Sequence, residues 1–155
     1  MKIKKHHNPE HGYESKEQLL LETEQHRMDV AKLMMFLGLE LIETGAEHDW
    51  TKIDYFNQFA EDTMQRETTP EFKKRPWYQI HVKKERHHLN AELPKDVDLI
   101  DVLEFICDCV CAGKARTGRV EKKFLELSGD TLKKAYWNTV NKMIDEVEII
   151  EKQEV

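Results

Sequence analysis

The segment from about Asp98 to Ala115 narrows the possible folds more than any other part of the chain. Leu99, Ile100, Val102, Leu103, Phe105, Ile106, Cys107, Cys109, Val110 and Cys111 set apolar groups nearly all round one helix, a pattern that predicts burial in the middle of the fold. Asp101, Glu104 and Asp108 nevertheless recur at i, i+3 and i+7, on one narrow stripe of that helix. Ionised carboxylates are costly to bury without company. The stripe is therefore neutral, paired or bound to cations, unless it faces solvent or an arginine.

Helical signals continue on both sides. Ser15-Lys16-Glu17-Gln18 has capping-box spacing and opens a first helix that runs to Glu43, with Gly45 as its stop and Gly38 as a point of bending. A second helix is expected over Thr51 to Gln65, burying Ile53, Phe56, Phe59 and Ala60. Arg66 to Arg75, with Pro70, reads as a loop. Pro76 suits the first turn of a third helix that ends near His88. Gly118 closes the apolar helix, and a short helical piece over residues 120–127 follows it. The last helix, Thr131 to Glu151, places Leu132, Ala135, Tyr136, Val140, Met143 and Val147 on its buried face. No segment alternates as a strand does. The expected architecture is all-α: a single-domain bundle of five to six helices over residues 15–155, preceded by a flexible tail at 1–14.

At 155 residues the chain has enough length for one core. Hydrophobic residues make up 39% and charged residues 35%, as in a domain with a heavily charged surface. A net charge of -6 gives no reason to expect general nucleic-acid binding. No apolar run reaches the roughly 18 to 20 residues that span a bilayer, so no membrane partner is expected. The opening residues lack the apolar core of a signal peptide, and Cys107, Cys109 and Cys111 are too tightly clustered for a disulfide framework. Those features point to the cytoplasm. The cysteines read as core residues, and His6, His7 and His11 as an exposed tail.

Other residues carry chemistry. His26 is in register with Val30, Leu33 and Leu37, on the apolar face of the first helix, where a lone histidine is ordinarily a satisfied core residue. His48-Asp49 projects an imidazole and a carboxylate from a helix junction, a pair suited to zinc, iron, manganese or nickel. Lys52 follows one turn later and can reach a phosphate oxygen or a ligand carboxylate. Between this pair and Asp108 lie three more histidines, His81, His87 and His88. On a continuous third helix His81, Lys84, Glu85 and His88 share a face; a helix ending near Arg86 would favour His87 instead.

The order His26, His48-Asp49, Asp108 resembles the HD-domain superfamily of metal-dependent phosphohydrolases over residues 20–115. The stretch Lys84-Glu85-Arg86-His87-His88-Leu89-Asn90, followed by Asp98-Leu99-Ile100-Asp101-Val102-Leu103-Glu104, also looks like uncharacterised HD-like proteins of phages and bacteria. The spacing does not fit the HD-GYP subgroup. The resemblance implies a helical fold in which His26, His48, Asp49 and Asp108 bind one divalent ion. Asp49, with His81 and His87 or His88, then binds a second. Manganese, iron, zinc, nickel and cobalt all remain open.

On that resemblance the expected activity is hydrolysis of a small phosphate ester, such as a nucleotide, by metal-bound hydroxide. Asp49, Lys52 and Glu104 are the expected catalytic residues, with Glu104 orienting a ligand histidine or accepting a proton. Lys52, Lys84 and Arg86 are expected to bind the phosphate. Lysines and arginines at 73–86 and again at 114–123 read either as solvated faces or as a basic rim for an anionic substrate. Trp50, Trp77 and Tyr78 could stack on a base, although packing explains each more simply. Two alternatives stand beside the hydrolase: a di-iron HD-fold oxygenase, and a metal-stapled, phage-type binding protein without turnover. The last helix is also open as a homo-oligomer interface.

Overall fold

The computed structural model describes residues 1–5, 12–65 and 69–150. His6, His7 and His11 lie outside the described residues. The protein is all-α, as its periodicity predicts, apart from one small sheet. The elements are β1 (Lys2–Lys4), α1 (Lys16–Glu47), α2 (Trp50–Asp54), α3 (Phe56–Met64), α4 (Thr69–Phe72), α5 (Pro76–Lys84), α6 (Leu99–Thr117), a 3₁₀ turn (Lys122–Leu125), α7 (Gly129–Glu146) and β2 (Glu148–Ile150). They form two compact units, Met1–Glu40 with Val140–Val155, and Leu41–Thr139.

In the first unit Lys2, Ile3 and Lys4 pair in parallel with Glu148, Ile149 and Ile150. Residues 2–4 are thus a strand rather than flexible tail, and α7 ends at Glu146 rather than Glu151. Three-residue strands carry no readable alternation, so periodicity could not reveal them. The Glu40 carboxylate receives Lys142 at 2.7 Å. His26 is exposed, not on a buried face.

The second unit is built on α6. Asp98 is its N-cap: its carboxylate accepts the Ile100 and Asp101 amides, while Asp101 accepts the Asp98 amide, a reciprocal capping box. Val102 and Phe105 of α6 pack with Leu89, Val97 and Ala135 in the core. Thr139 and Asn138 of α7 bind the Leu99 amide (2.8 Å) and the Val97 carbonyl (2.8 Å), locking α7 onto the start of α6. At the far end Gly113 is required, because a Cβ there would stand 2.8 Å from the Arg119 carbonyl oxygen.

Several expected burials are corrected. The first half of α6 is buried, but Leu103, Ile106 and Val110 are each more than a third exposed, and Cys107 and Cys111 are exposed. Ile53, Phe56, Leu132 and Tyr136 also face outward. An apolar side chain costs little at a partly wetted surface, so composition alone does not set the direction of a helix. The expected second helix is broken at Tyr55, and a four-residue helix, α4, occupies part of the expected loop.

Asp101 is 3% exposed and is paired bidentately with Arg86, Nε to Oδ1 at 2.7 Å and Nη2 to Oδ2 at 2.8 Å. This pair ties the segment after α5 to the first turn of α6. Arg86→Ala would strand a buried carboxylate, and we expect it to cost about 2 to 3 kcal/mol in urea-unfolding free energy.

Candidate metal centre

Four segments of the second unit converge on one cluster: the end of α1 with the turn after it, α5, the turn after α5, and α6. The residues that could hold a metal ion fall into four overlapping groups, His81/His87/His88, His48/His87/Glu104, His48/Asp49/Asp108 and Asp49/His81/Glu85. They include every expected ligand except His26, which belongs to the first unit and is in none of the groups. Three imidazoles from the chain between Asp49 and Asp108 supply nitrogen donors instead.

Local backbone explains the convergence. Asp49 has φ 60° and ψ 24°, the one left-handed non-glycine among the described residues. Aspartate is one of the few side chains that accept this conformation. The sharp turn starts α2 directly after α1 and aims His48 and Asp49 inward together. Helix α5 stops at Lys84, and Glu85 is extended at ψ 117°. A continuous helix would have set His87 and His88 roughly 100° apart. The break lets both reach the cluster, where His81 and His88 bring their Nε2 atoms to 2.7 Å.

The hydrogen bonds behind the imidazoles set their tautomers. Thr51 donates both its amide (2.9 Å) and its hydroxyl (2.6 Å) to Glu85 Oε1. With its one hydroxyl proton so used, Thr51 Oγ1 can only accept from His81 Nδ1, at 2.6 Å. His48 Nδ1 donates to Glu104 Oε1 at 2.8 Å, and His87 Nδ1 lies 3.0 Å from the same oxygen, though off the line of a well-formed hydrogen bond. In their neutral forms His48 and His81 then turn a bare Nε2 inward, and the Nε2 of His87 faces the same way. Those atoms stand 3.4 Å (His48), 3.6 Å (His81) and 3.8 Å (His87) from Asp49, and His48 Nε2 is 3.6 Å from Asp108. These nitrogens and carboxylate oxygens lie close enough together that they could hold a metal ion. Imidazoles oriented from behind by a carboxylate or hydroxyl are a common arrangement behind metal ligands.

Electrostatics follow from the same contacts. Burial, then the charge of His88, push His81 down to about 3. Burial and His87 bring His88 down to about 4. His87 is raised: burial acts against the charged ring, but Glu104, Asp49 and Asp108 outweigh it. Burial would raise Asp49 and Glu104 as well, yet both are lowered, Asp49 chiefly by Lys52 and Glu104 by His87 and His48.

Two expected phosphate ligands are corrected. Arg86 is committed to Asp101 and Asp96. Lys84 donates to the Tyr55 hydroxyl at 2.5 Å and lies over the Trp50 and Tyr55 rings. Lys52 is placed as expected, on the Asp49 carboxylate. A cavity of about 490 Å³ opens beside the cluster, with Asp49, His81, His87, His88 and Asp108 in its lining. Phe59, Phe72, Trp77 and Tyr78 line it too, along with Lys52, Lys73 and Arg116. Trp77, only 2% exposed, stacks on His81 with ring centroids 4.7 Å apart. Glu85 and Thr51 escaped the sequence reading of the site. Glu85 carried a signal, its i+4 position after His81. Thr51 carried none.

Glu104→Gln keeps the shape but removes the charge that holds two imidazoles, so zinc or manganese affinity, read by calorimetry, should fall about 10- to 100-fold. The metal-free protein should also lose stability as pH falls from about 6.5 towards 4. The unfolded chain protonates its histidines near 6.5, whereas folded His81 and His88 resist to about 3 and 4. Unfolding therefore takes up protons across that window, at most about 1.4 kcal/mol per pH unit for each histidine. The raised value of His87 places its slope above 6.5, in the opposite sense. Melting temperature against pH checks this, and His88→Gln should flatten the acid slope.

The family of unknown function DUF5662 matches residues 15–150, a span that contains every residue of the cluster. No curated protein and no solved structure matches the chain. By that match over most of its length, the chain belongs to DUF5662.

Proposed function

We propose that this protein is a metal-dependent phosphohydrolase of HD type, acting on a small phosphate ester with a planar, apolar body such as a nucleotide. The observation that carries the reading is the set of three imidazoles turned from behind so that their Nε2 atoms face Asp49. His48, Asp49, His81, His87, His88 and Asp108 would hold one or two divalent ions, with Glu104, Glu85 and Thr51 behind them. Neutral imidazoles with two carboxylates suit manganese, iron, zinc, nickel or cobalt. Such an ion makes hydroxide available at neutral pH and polarises phosphoryl oxygens.

The remaining residues bind and orient. Lys52 rests on Asp49 and lines the cavity, so its ammonium is within the space a bound phosphate would enter. Lys73 and Arg116, neither with an ion-pair partner among the described residues, supply further positive charge in the lining. These take the part that the sequence assigned to Lys84 and Arg86. The aromatic residues of the lining offer faces for a planar group, and a cavity of about 490 Å³ is within the usual range for a small ligand. Trp77 and His81 exclude water on the buried side.

The test is hydrolysis of a panel of nucleoside monophosphates and other phosphate monoesters by protein loaded in turn with manganese, zinc, cobalt and iron. We expect phosphate release by the wild type and a loss of at least about 100-fold for Asp49→Ala. Equal rates for the two proteins would end the proposal. Oxygen uptake by the iron-loaded form, without phosphate release, would replace it with the oxygenase reading.

A further inference from the structure

Within Met1–Glu40, helix α1 buries two acids and half-buries Leu33, Phe36 and Leu37 on its inner face, yet leaves a set of apolar side chains in water. Glu22 and Asp29 are buried, at 8% and 6% exposure. Leu20, Leu21, Met28, Met34 and Met35 are exposed, at 60, 67, 53, 68 and 68%. Leu21, Met28 and Met35 recur every seven residues, so they form one stripe along the helix. Among the described residues, the apolar side chains of the same unit that follow Val140 are directed elsewhere. Val140, Met143 and Ile144 line a cavity with Leu33 instead. A continuous apolar stripe left to water marks an interaction surface.

We infer that the stripe pairs with the same stripe of a second copy, the two α1 helices running antiparallel about a two-fold axis at Met28. Charge selects this arrangement. With Met28 against Met28, Leu21 meets Met35, and Glu24 meets Lys32. In parallel register Glu24 would meet Glu24 and Lys32 would meet Lys32. Glu24 has no ion-pair partner among the described residues. Lys32 rests on Asp29 at 2.8 Å yet is about half exposed, so it keeps donors for a second carboxylate.

The stripe and its flanking Glu24, Ala31 and Lys32 all lie on the exposed side of α1, away from the buried Glu22 and Asp29. A two-fold pairing also closes on itself, so it buries the stripe without building a fibre.

Sedimentation equilibrium of the full chain at about 10 to 100 µM, with cysteine cross-linking, tests the pairing. The wild type is expected to be a dimer, and Met28→Lys a monomer with the same helical circular dichroism. For cross-linking, Cys107, Cys109 and Cys111 are first replaced by serine. In that background Met28→Cys should form a disulfide with its own copy. Leu21→Cys should cross-link to Met35→Cys when the two proteins are mixed, but not to itself. A monomeric wild type at 100 µM, a Met28→Lys protein that still self-associates, or Leu21→Cys cross-linked to itself would each overturn the inference. Should Met28→Lys fail to fold, the cross-linking pattern decides alone.

Discussion

One carboxylate oxygen organises the candidate metal site. Glu104 Oε1 lies within 3.0 Å of the Nδ1 atoms of both His48 and His87, residues that reach it from the end of α1 and from the turn after α5. Glu104 is 9% exposed, so its charge is tolerable there only because two imidazoles approach it. The same oxygen accepts from His48 Nδ1 and so fixes that ring's tautomer, and with it the direction of its outward lone pair. The cluster depends on α6 to bring this group to depth, and α6 depends in turn on the Asp98 capping box and on Asp101 with Arg86 for its register.

How much of this could be read from the sequence depended on whether the deciding interaction was local. Asp101, Glu104 and Asp108 share a stripe by helical periodicity alone; the buried Asp101 and Glu104 are paired with Arg86 and His48, as their burial demands, whereas Asp108 is only half-buried beside His48. His48-Asp49 announced itself by chemistry and by its place at a helix end. The end of α5 was harder. No glycine or proline marks Lys84 as its last residue, so the choice between His87 and His88 stayed open; the extended Glu85 lets both converge. Lys84 and Arg86 were misassigned because their true partners, Tyr55 and Asp101, are distant in sequence, and a cation's charge says nothing about where it is already engaged. The outward-facing Ile53, Phe56, Leu132 and Tyr136 show the same limit for apolar groups.

The two units use charge and apolarity in opposite ways. In Leu41–Thr139 the buried carboxylates are matched by imidazoles, a hydroxyl and a guanidinium, each at hydrogen-bond distance, and the apolar core of Val97, Val102, Phe105 and Ala135 lies along the same helix. In the first unit two acids of α1, Glu22 and Asp29, turn inward while Leu20, Leu21, Met28, Met34 and Met35 face out. A polar interior is specific in geometry but gives little hydrophobic stabilisation, and an apolar exterior gives stabilisation only once something covers it.

The ammonium of Lys52 on Asp49 gives the centre a resident monovalent counterion, covalently tethered to the chain. A divalent ion taken up there would compete with it for the same oxygens, so loading would be an ion exchange rather than a simple addition of charge. The displaced amine would stay on its four-carbon stem in α2, within the lining of the cavity. Occupancy of the site and the charge offered to an anion would then be coupled through a single side chain.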